Sequence, residues 1–196
     1  MLESPREPET SRRRAIDRCL GGELAGALDD AEVALKHDLW RDSGWSLLIR
    51  AFVRALSDDR AGALDDLRDA QRRAPRFHHL ALWRAGLGET GVEPPDLEDL
   101  PAWPAQLVEA ALERADPAAL LGDARTLPGR RARVVAQQEV HWLQGLLAEQ
   151  EQRRGEAIAC YQRVVELGDT TWLQYAWSFA RLRGWGLAPG HRPPER

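Results

Sequence analysis

Cysteine, methionine, tyrosine and phenylalanine are all scarce: 196 residues hold two, one, two and three of them. The two cysteines, Cys19 and Cys160, stand near opposite ends, so neither a disulfide framework nor a zinc site is expected, and a reducing compartment fits. Isoleucine and threonine are sparse as well, and no stretch alternates apolar with polar residues for long, which argues against a sheet. No apolar run approaches the roughly 18 residues that cross a bilayer. Met1 to Arg14 is polar and charged rather than a signal sequence, and Ile16-Asp17-Arg18 before Cys19 makes no lipoprotein cleavage site. A cytoplasmic location is therefore expected, with an envelope location open if a leader has been removed. Excess positive charge is missing too: the formal net charge is −4 and the pI about 5.8, so a general nucleic-acid binder is not expected.

What the chain does have is alanine, leucine, arginine and acidic residues in helical patterns, together with eight tryptophans. Residues 1–10, with two prolines and three glutamates, are expected to be a disordered tail. A helical domain is expected over 11–185, broken by a loop at about 89–104 that holds one glycine and four prolines, and residues 186–196 are expected to fray. Ser11–Leu20 and Glu23–His37 form a first helical pair around Gly21-Gly22. Asp42 is expected to cap a third helix through Leu56, and Asp58 or Asp59 a fourth that halts before Pro75. Further helices are expected from Phe77, from Trp103 or Pro104, from Asp116-Pro117, and over Arg133–Gln152, Glu156–Leu167 and Asp169–Arg183.

Self-similarity is the strongest signal. Ala27-Leu28-Asp29-Asp30 recurs as Ala63-Leu64-Asp65-Asp66, 36 residues on, close to the period of about 34 of a tetratricopeptide repeat (TPR). A third segment, Glu156 to Leu167, resembles the second helix of a TPR motif. The resemblance implies an all-α fold: a TPR-like, right-handed superhelical array of antiparallel helix hairpins, about ten helices in all. It puts small residues where paired helices cross, at Gly145 and Ala157, with Tyr161 as the bulky neighbour. The same register gives Ala51, Ala63, Leu67 and Ala70 with Pro75 in the second copy, and Ala15, Ala27, Ala31 and Ala34 in the first. His141 and Gln144 depart from the pattern. A leucine at position 145 is expected to overpack the crossing at a cost of about 1–3 kcal/mol.

From Ala74 to Arg183 the order of segments resembles the C-terminal portion of NlpI-type bacterial TPR proteins: Phe77 to Trp83, an acidic loop, Trp103 to Val108, Ala118 to Leu121, Glu139 to Gly145, then the repeat helix and Trp172 onward. That resemblance implies an adaptor that binds a protein or peptide, with homodimerisation open; the lipid anchor of that family is not expected here. The first helix of each hairpin is implied to line a concave binding face. Its candidate partner-binding residues are Trp45, Leu48, Phe52 and Leu56 in one hairpin and Glu139, Trp142, Leu146 and Glu149 in another. Trp45 and Trp142 are either groove anchors or core residues. As anchors, their joint replacement by alanine abolishes partner capture with little change in stability.

Trp83, Trp103 and Trp172 are expected in the core, while Trp40 and Trp185 either cap hairpin ends or meet a second subunit. The arginine clusters, interleaved with acids such as Asp65, Asp66 and Asp69, read as a solvated, self-compensating surface. His37, His78, His79, His141 and His191 have no carboxylate or cysteine at metal-ligand spacing, and the sequence shows no Gly-rich phosphate loop or serine-nucleophile motif, so no enzyme, cofactor or metal is expected. A structural subunit that assembles through the repeat ends is the alternative function.

Overall fold

A computed structural model describes residues 7–38, 43–93, 101–113, 116–171 and 173–187. Among the described residues there are ten α-helices, one 3₁₀ turn and no strand. They are α1 (Glu7–Gly21), α2 (Leu24–His37), α3 (Ser43–Leu56), α4 (Arg60–Arg73), α5 (His79–Gly86), α6 (Ala102–Glu113), the 3₁₀ turn Pro117–Leu120, α7 (Leu121–Thr126), α8 (Arg130–Gln150), α9 (Arg154–Leu167) and α10 (Leu173–Gly184). No helix among the described residues is long and apolar enough to cross a membrane.

The pairs α1/α2, α3/α4 and α8/α9 are hairpins built on one turn. Each first helix ends in a left-handed residue, Gly22 (φ 83°), Asp58 (φ 62°) or Gln152 (φ 59°). The next N–H then bonds back over the last turn: Glu23 to Arg18 O (2.9 Å), Asp59 to Arg54 O (2.9 Å) and Arg153 to Ala148 O (2.8 Å). This closure satisfies carbonyls that a helix end leaves open. Asp58 and Gln152 hold without glycine a conformation that side chains disfavour, as the shared register requires. In the second hairpin Asp59 also caps α4, its carboxylate accepting from Gly62 N at 2.9 Å.

The crossings are where the small residues meet. Ala15 and Ala27 of the first hairpin, Ala63 of the second and Ala157 of the third are fully buried, and Ala51 is 1 % exposed. Gly145 is buried as well, and a Cβ there would lie 2.4 Å from Tyr161 Cε1, inside contact distance. Sixteen residues after the crossing residue stand Ala31 in the first hairpin, Leu67 in the second and Tyr161 in the third, each fully buried, and at Gly145 the missing side chain is matched by the larger neighbour Tyr161.

Several boundaries differ from expectation. The first helix starts at Glu7 and takes in four residues assigned to the tail, and α6 starts at Ala102, inside the expected loop. Asp116 caps as expected, accepting from Ala118 N, but the turn it opens is 3₁₀ before it becomes α7. The last helix begins at Leu173 rather than Asp169, whose side chain instead closes a turn onto Thr171 N. Asp42, Trp40, Trp172, residues 1–6, most of the acidic loop (94–100) and the tail from 188 lie outside the described residues.

The last helix governs the interior. Leu173, Gln174, Tyr175, Ala176, Trp177, Ser178 and Phe179 are buried in unbroken succession, which an amphipathic surface helix never shows. Accordingly α10 packs on α1, α3, α8 and α9 together, so the first hairpin and the final helix meet. Arg183 Nη1 donates to Leu20 O at 2.6 Å across that junction.

Candidate functional site

Charge is organised inside the hairpins rather than spread over the surface. Asp66, 3 % exposed, accepts from Arg50 (2.6 and 2.9 Å) and from Arg54 (2.9 Å), both on the facing helix α3. Asp30, 4 % exposed, accepts through Oδ1 from Arg14 (2.5 and 2.9 Å), while its Oδ2 forms an ion pair with Arg18 at 2.9 Å without a hydrogen bond. The two clasps are one motif shifted by 36 residues. Asp66 is therefore no part of a solvated surface, as its sequence neighbours had suggested. It stitches α3 to α4 where two arginine stems leave water together. In the third hairpin the equivalent positions are Gln144, Ala148 and Cys160, and the crossing is held instead by Trp177 Nε1 donating to Tyr161 Oη at 3.0 Å.

The candidate partner-binding residues of the second and third hairpins do converge on one face, and that face is covered. Leu48 (1 % exposed), Phe52 (0 %) and Leu56 (8 %) on α3 and Trp142 (0 %) and Leu146 (2 %) on α8 are buried, with Trp45 half-buried at the edge. Phe52 meets Trp177 of α10 edge-on at 6.1 Å and Trp83 of α5 at 6.0 Å; Trp83 in turn lies 4.6 Å from Trp142 and 5.2 Å from Trp177. Offset and edge-to-face contacts of this kind form a four-ring core. Trp142 is thus part of the interior, and its removal is not the stability-neutral change expected of a groove anchor.

The acidic members are also engaged. Glu149 accepts from Arg181 of α10 at 2.5 and 3.2 Å, while Arg181 stacks over Trp177 (5.8 Å) and Trp185 (5.2 Å). Glu139, 7 % exposed, accepts from Trp103 Nε1 at 3.0 Å and lies 3.1 Å from His79 Nε2, tying α5, α6 and α8 together. Trp83 and Trp103 are in or against the core as expected, and Trp185 packs on Tyr161 (6.0 Å) with Arg154 over its ring (5.1 Å).

Beside this cluster His78 is pushed down to about 4 by burial, reinforced by the neighbouring His79 and opposed by Glu139. A histidine lowered in the fold stays neutral there while the unfolded chain takes up a proton below about 6.5, so acid favours unfolding between those two values. Thermal melts should therefore show wild type losing stability from pH 6.5 towards 4, and His78→Gln losing less over the same interval; parallel curves would contradict this. Burial likewise pushes the Cys19 thiol up to about 12, which leaves it unreactive at neutral pH. Among the described residues no three His, Cys, Asp or Glu side chains converge as a metal cluster.

The open part of the face lies at the first hairpin. Register equivalents of the second hairpin's face residues are Glu9, Arg12, Ile16 and Leu20 on α1. These line a groove of about 560 Å³ whose other walls are Trp45 on α3 and Tyr175 and Ala176 on α10. Arg12 is fixed in it by Asp38 (3.2 Å) and by donation to Ser46 Oγ (3.3 Å), while Arg13 and Asp17 stand exposed at the rim. The floor is apolar and the rim carries both signs of charge. A smaller hollow of about 290 Å³ lies at the turn end, among Asp58, Arg60, Glu149 and Arg181.

Sequence reasoning missed the covering helix and both clasps. The first had a signal in the density of large apolar residues from Leu173 to Leu182. The second had one in Arg14/Arg18 and Arg50/Arg54, which recur at the repeat distance. No protein-family model matches the chain, and no curated protein matches its sequence.

Proposed function

We propose that this chain is a non-enzymatic adaptor of the TPR type, a right-handed superhelical array whose concave face holds a protein or peptide partner. The observation that carries this reading is the behaviour of one face in one register. Over the second and third hairpins the first-helix residues grip a helix, α10, through aromatic rings and an arginine–carboxylate pair. Over the first hairpin the equivalent residues Glu9, Arg12, Ile16 and Leu20 leave a groove. A wall that takes up a helix and is open beside it is suited to receive a second segment there. Trp45, left by the sequence between groove anchor and core, is half-buried and lines the groove, which supports the anchor role.

Affinity capture from native lysate tests this. The wild-type chain is expected to retain a stoichiometric protein partner that Ile16→Glu and Trp45→Ala each lose by tenfold or more while remaining folded by circular dichroism. Equal capture by folded variants would remove the groove from the proposal. Assembly through repeat ends finds less support, because Trp185 is taken up by Tyr161, Arg154 and Arg181 within the same chain.

A further inference from the structure

The groove at the first hairpin carries polar groups that the chain itself does not answer. Tyr175 is 7 % exposed and lines it, and its hydroxyl has no hydrogen-bond partner among the described residues. Burial pushes that hydroxyl up with no hydrogen bond opposing the shift, so it stays protonated and able to donate. Trp45, half-buried on the α3 wall, has an indole N–H that is likewise without an acceptor among the described residues. Gln174 Oε1 and Trp142 Nε1 are unpaired too, but those atoms are sealed in the interior; Trp45 and Tyr175 border a groove that a ligand can enter.

The rim is patterned as well. Glu9, Arg13 and Asp17 stand exposed in one row of α1, four residues apart, and none has an ion-pair partner among the described residues. Arg12, on the next row, is already neutralised by Asp38. The free row therefore runs negative, positive, negative at steps of about 6 Å along the helix axis. Alternate residues of an extended chain stand about 6.6 Å apart on one face, close to that step, while the residues between them face the other way. One face of such a chain meets Ile16, Leu20 and Ala176 on the floor, and long charged side chains on the other lean over to the rim. An extended chain also has carbonyls open to Trp45 and Tyr175, whereas a helix uses all but its last four on its own N–H groups.

Resting on the adaptor reading, we infer that this groove takes an extended peptide segment of a partner protein. The segment carries basic, acidic and basic side chains at alternate positions, with apolar residues between them. The charges meet Glu9, Arg13 and Asp17, the apolar residues fill the floor, and backbone carbonyls accept from Trp45 Nε1 and Tyr175 Oη.

Titration of the isotope-labelled chain with capped peptides, followed by NMR at the indole N–H of Trp45, tests this. The probes are Gly-Arg-Leu-Glu-Leu-Arg-Gly, the same-composition scramble Gly-Arg-Arg-Leu-Leu-Glu-Gly, and the inverted Gly-Glu-Leu-Arg-Leu-Glu-Gly. At low salt the wild-type chain is expected to bind the first about fivefold more tightly than the scramble, with a saturable shift of the Trp45 signal. In a chain carrying Glu9→Arg, Arg13→Glu and Asp17→Arg together, the preference between the first and the inverted peptide should reverse. Tyr175→Phe should weaken binding of the first peptide about threefold. No saturable shift, equal binding of peptide and scramble, an unreversed preference in the folded triple variant, or unchanged affinity in Tyr175→Phe overturns the inference. Tighter binding of a helix-stapled peptide with the same charges at every fourth position overturns it too. Should the triple variant not fold, the wild-type comparison of peptide and scramble decides. A chain that captures a partner through Ile16 but ignores these peptides keeps the adaptor reading and loses this one. Peptide binding with the expected preferences by a chain that captures nothing does the reverse.

Discussion

Replacing Trp142 with alanine should lower the free energy of unfolding by about 3–5 kcal/mol, the range for deleting a fully buried indole from a core. The side chain is 0 % exposed and sits 4.6 Å from the Trp83 ring, in the cluster that joins α5 and α8 to α10. Relaxation is restricted around it, because Leu146 already presses on Gly86 so closely that a Cβ there would lie 2.6 Å from Leu146 Cδ1. The space left by the indole therefore persists as a cavity. Urea denaturation should show a lower midpoint with an unchanged slope, indicating lost stability rather than a changed unfolded state. Trp45→Ala, at a half-buried position against Phe77 (5.5 Å), should lose much less. A Trp142→Ala chain as stable as wild type would return that residue to the groove.

Asp66→Ala should cost about 3 kcal/mol, the lower end of the range for removing one partner of a buried ion pair. Two guanidinium groups then face each other without their carboxylate, and the side chains of Arg50 and Arg54 are only 20 % and 23 % exposed. Part of that charge reaches water, which sets the lower end. Asp30→Ala should lose less, because its arginines Arg14 and Arg18 are 52 % and 37 % exposed and can solvate where they stand. Chemical denaturation of the two single variants checks the order. Asp30→Ala as the more damaging change would contradict the reading of the second clasp as the less hydrated one.

How much of this was legible beforehand follows from what each element's surroundings are. Hairpin helices are amphipathic: one side meets a partner and the other meets solvent, so Leu24 to Leu35 or Gly145 to Val164 carry their packing in their spacing. The recurrence of Ala27 and Ala63, and the break at Gly21-Gly22, made the hairpins readable for the same reason. α10 was placed as a helix but not as an interior one. A helix surrounded on all sides shows no period, and its two buried polar residues, Gln174 and Ser178, imitate a solvent face. The candidate face residues were assigned to the first helices without what lies over them. Which residues line a first helix is a local property, whereas what lies over them depends on a segment more than a hundred residues beyond α3 and, for Glu149 of α8, 32 residues on. Asp66 misled because a carboxylate beside Asp65 and Asp69 looks solvated unless the two arginines on the preceding helix are counted with it. The expected lone role of the aromatic at position 161 also widened, since Tyr161 both fills the crossing and anchors Trp177.

The three hairpins share one register, and in the third the size of the crossing residue, Gly145, is traded against that of its partner, Tyr161. A double-mutant cycle on Gly145→Ala and Tyr161→Leu probes that trade directly, because the double variant gives the third hairpin the same pair that Ala51 and Leu67 make in the second. Gly145→Ala alone should be destabilising by about 1–3 kcal/mol, its methyl group overlapping the Tyr161 ring. In the Tyr161→Leu background it should cost markedly less, giving a favourable coupling of about 1 kcal/mol or more. Equal cost of Gly145→Ala in both backgrounds would contradict the shared register.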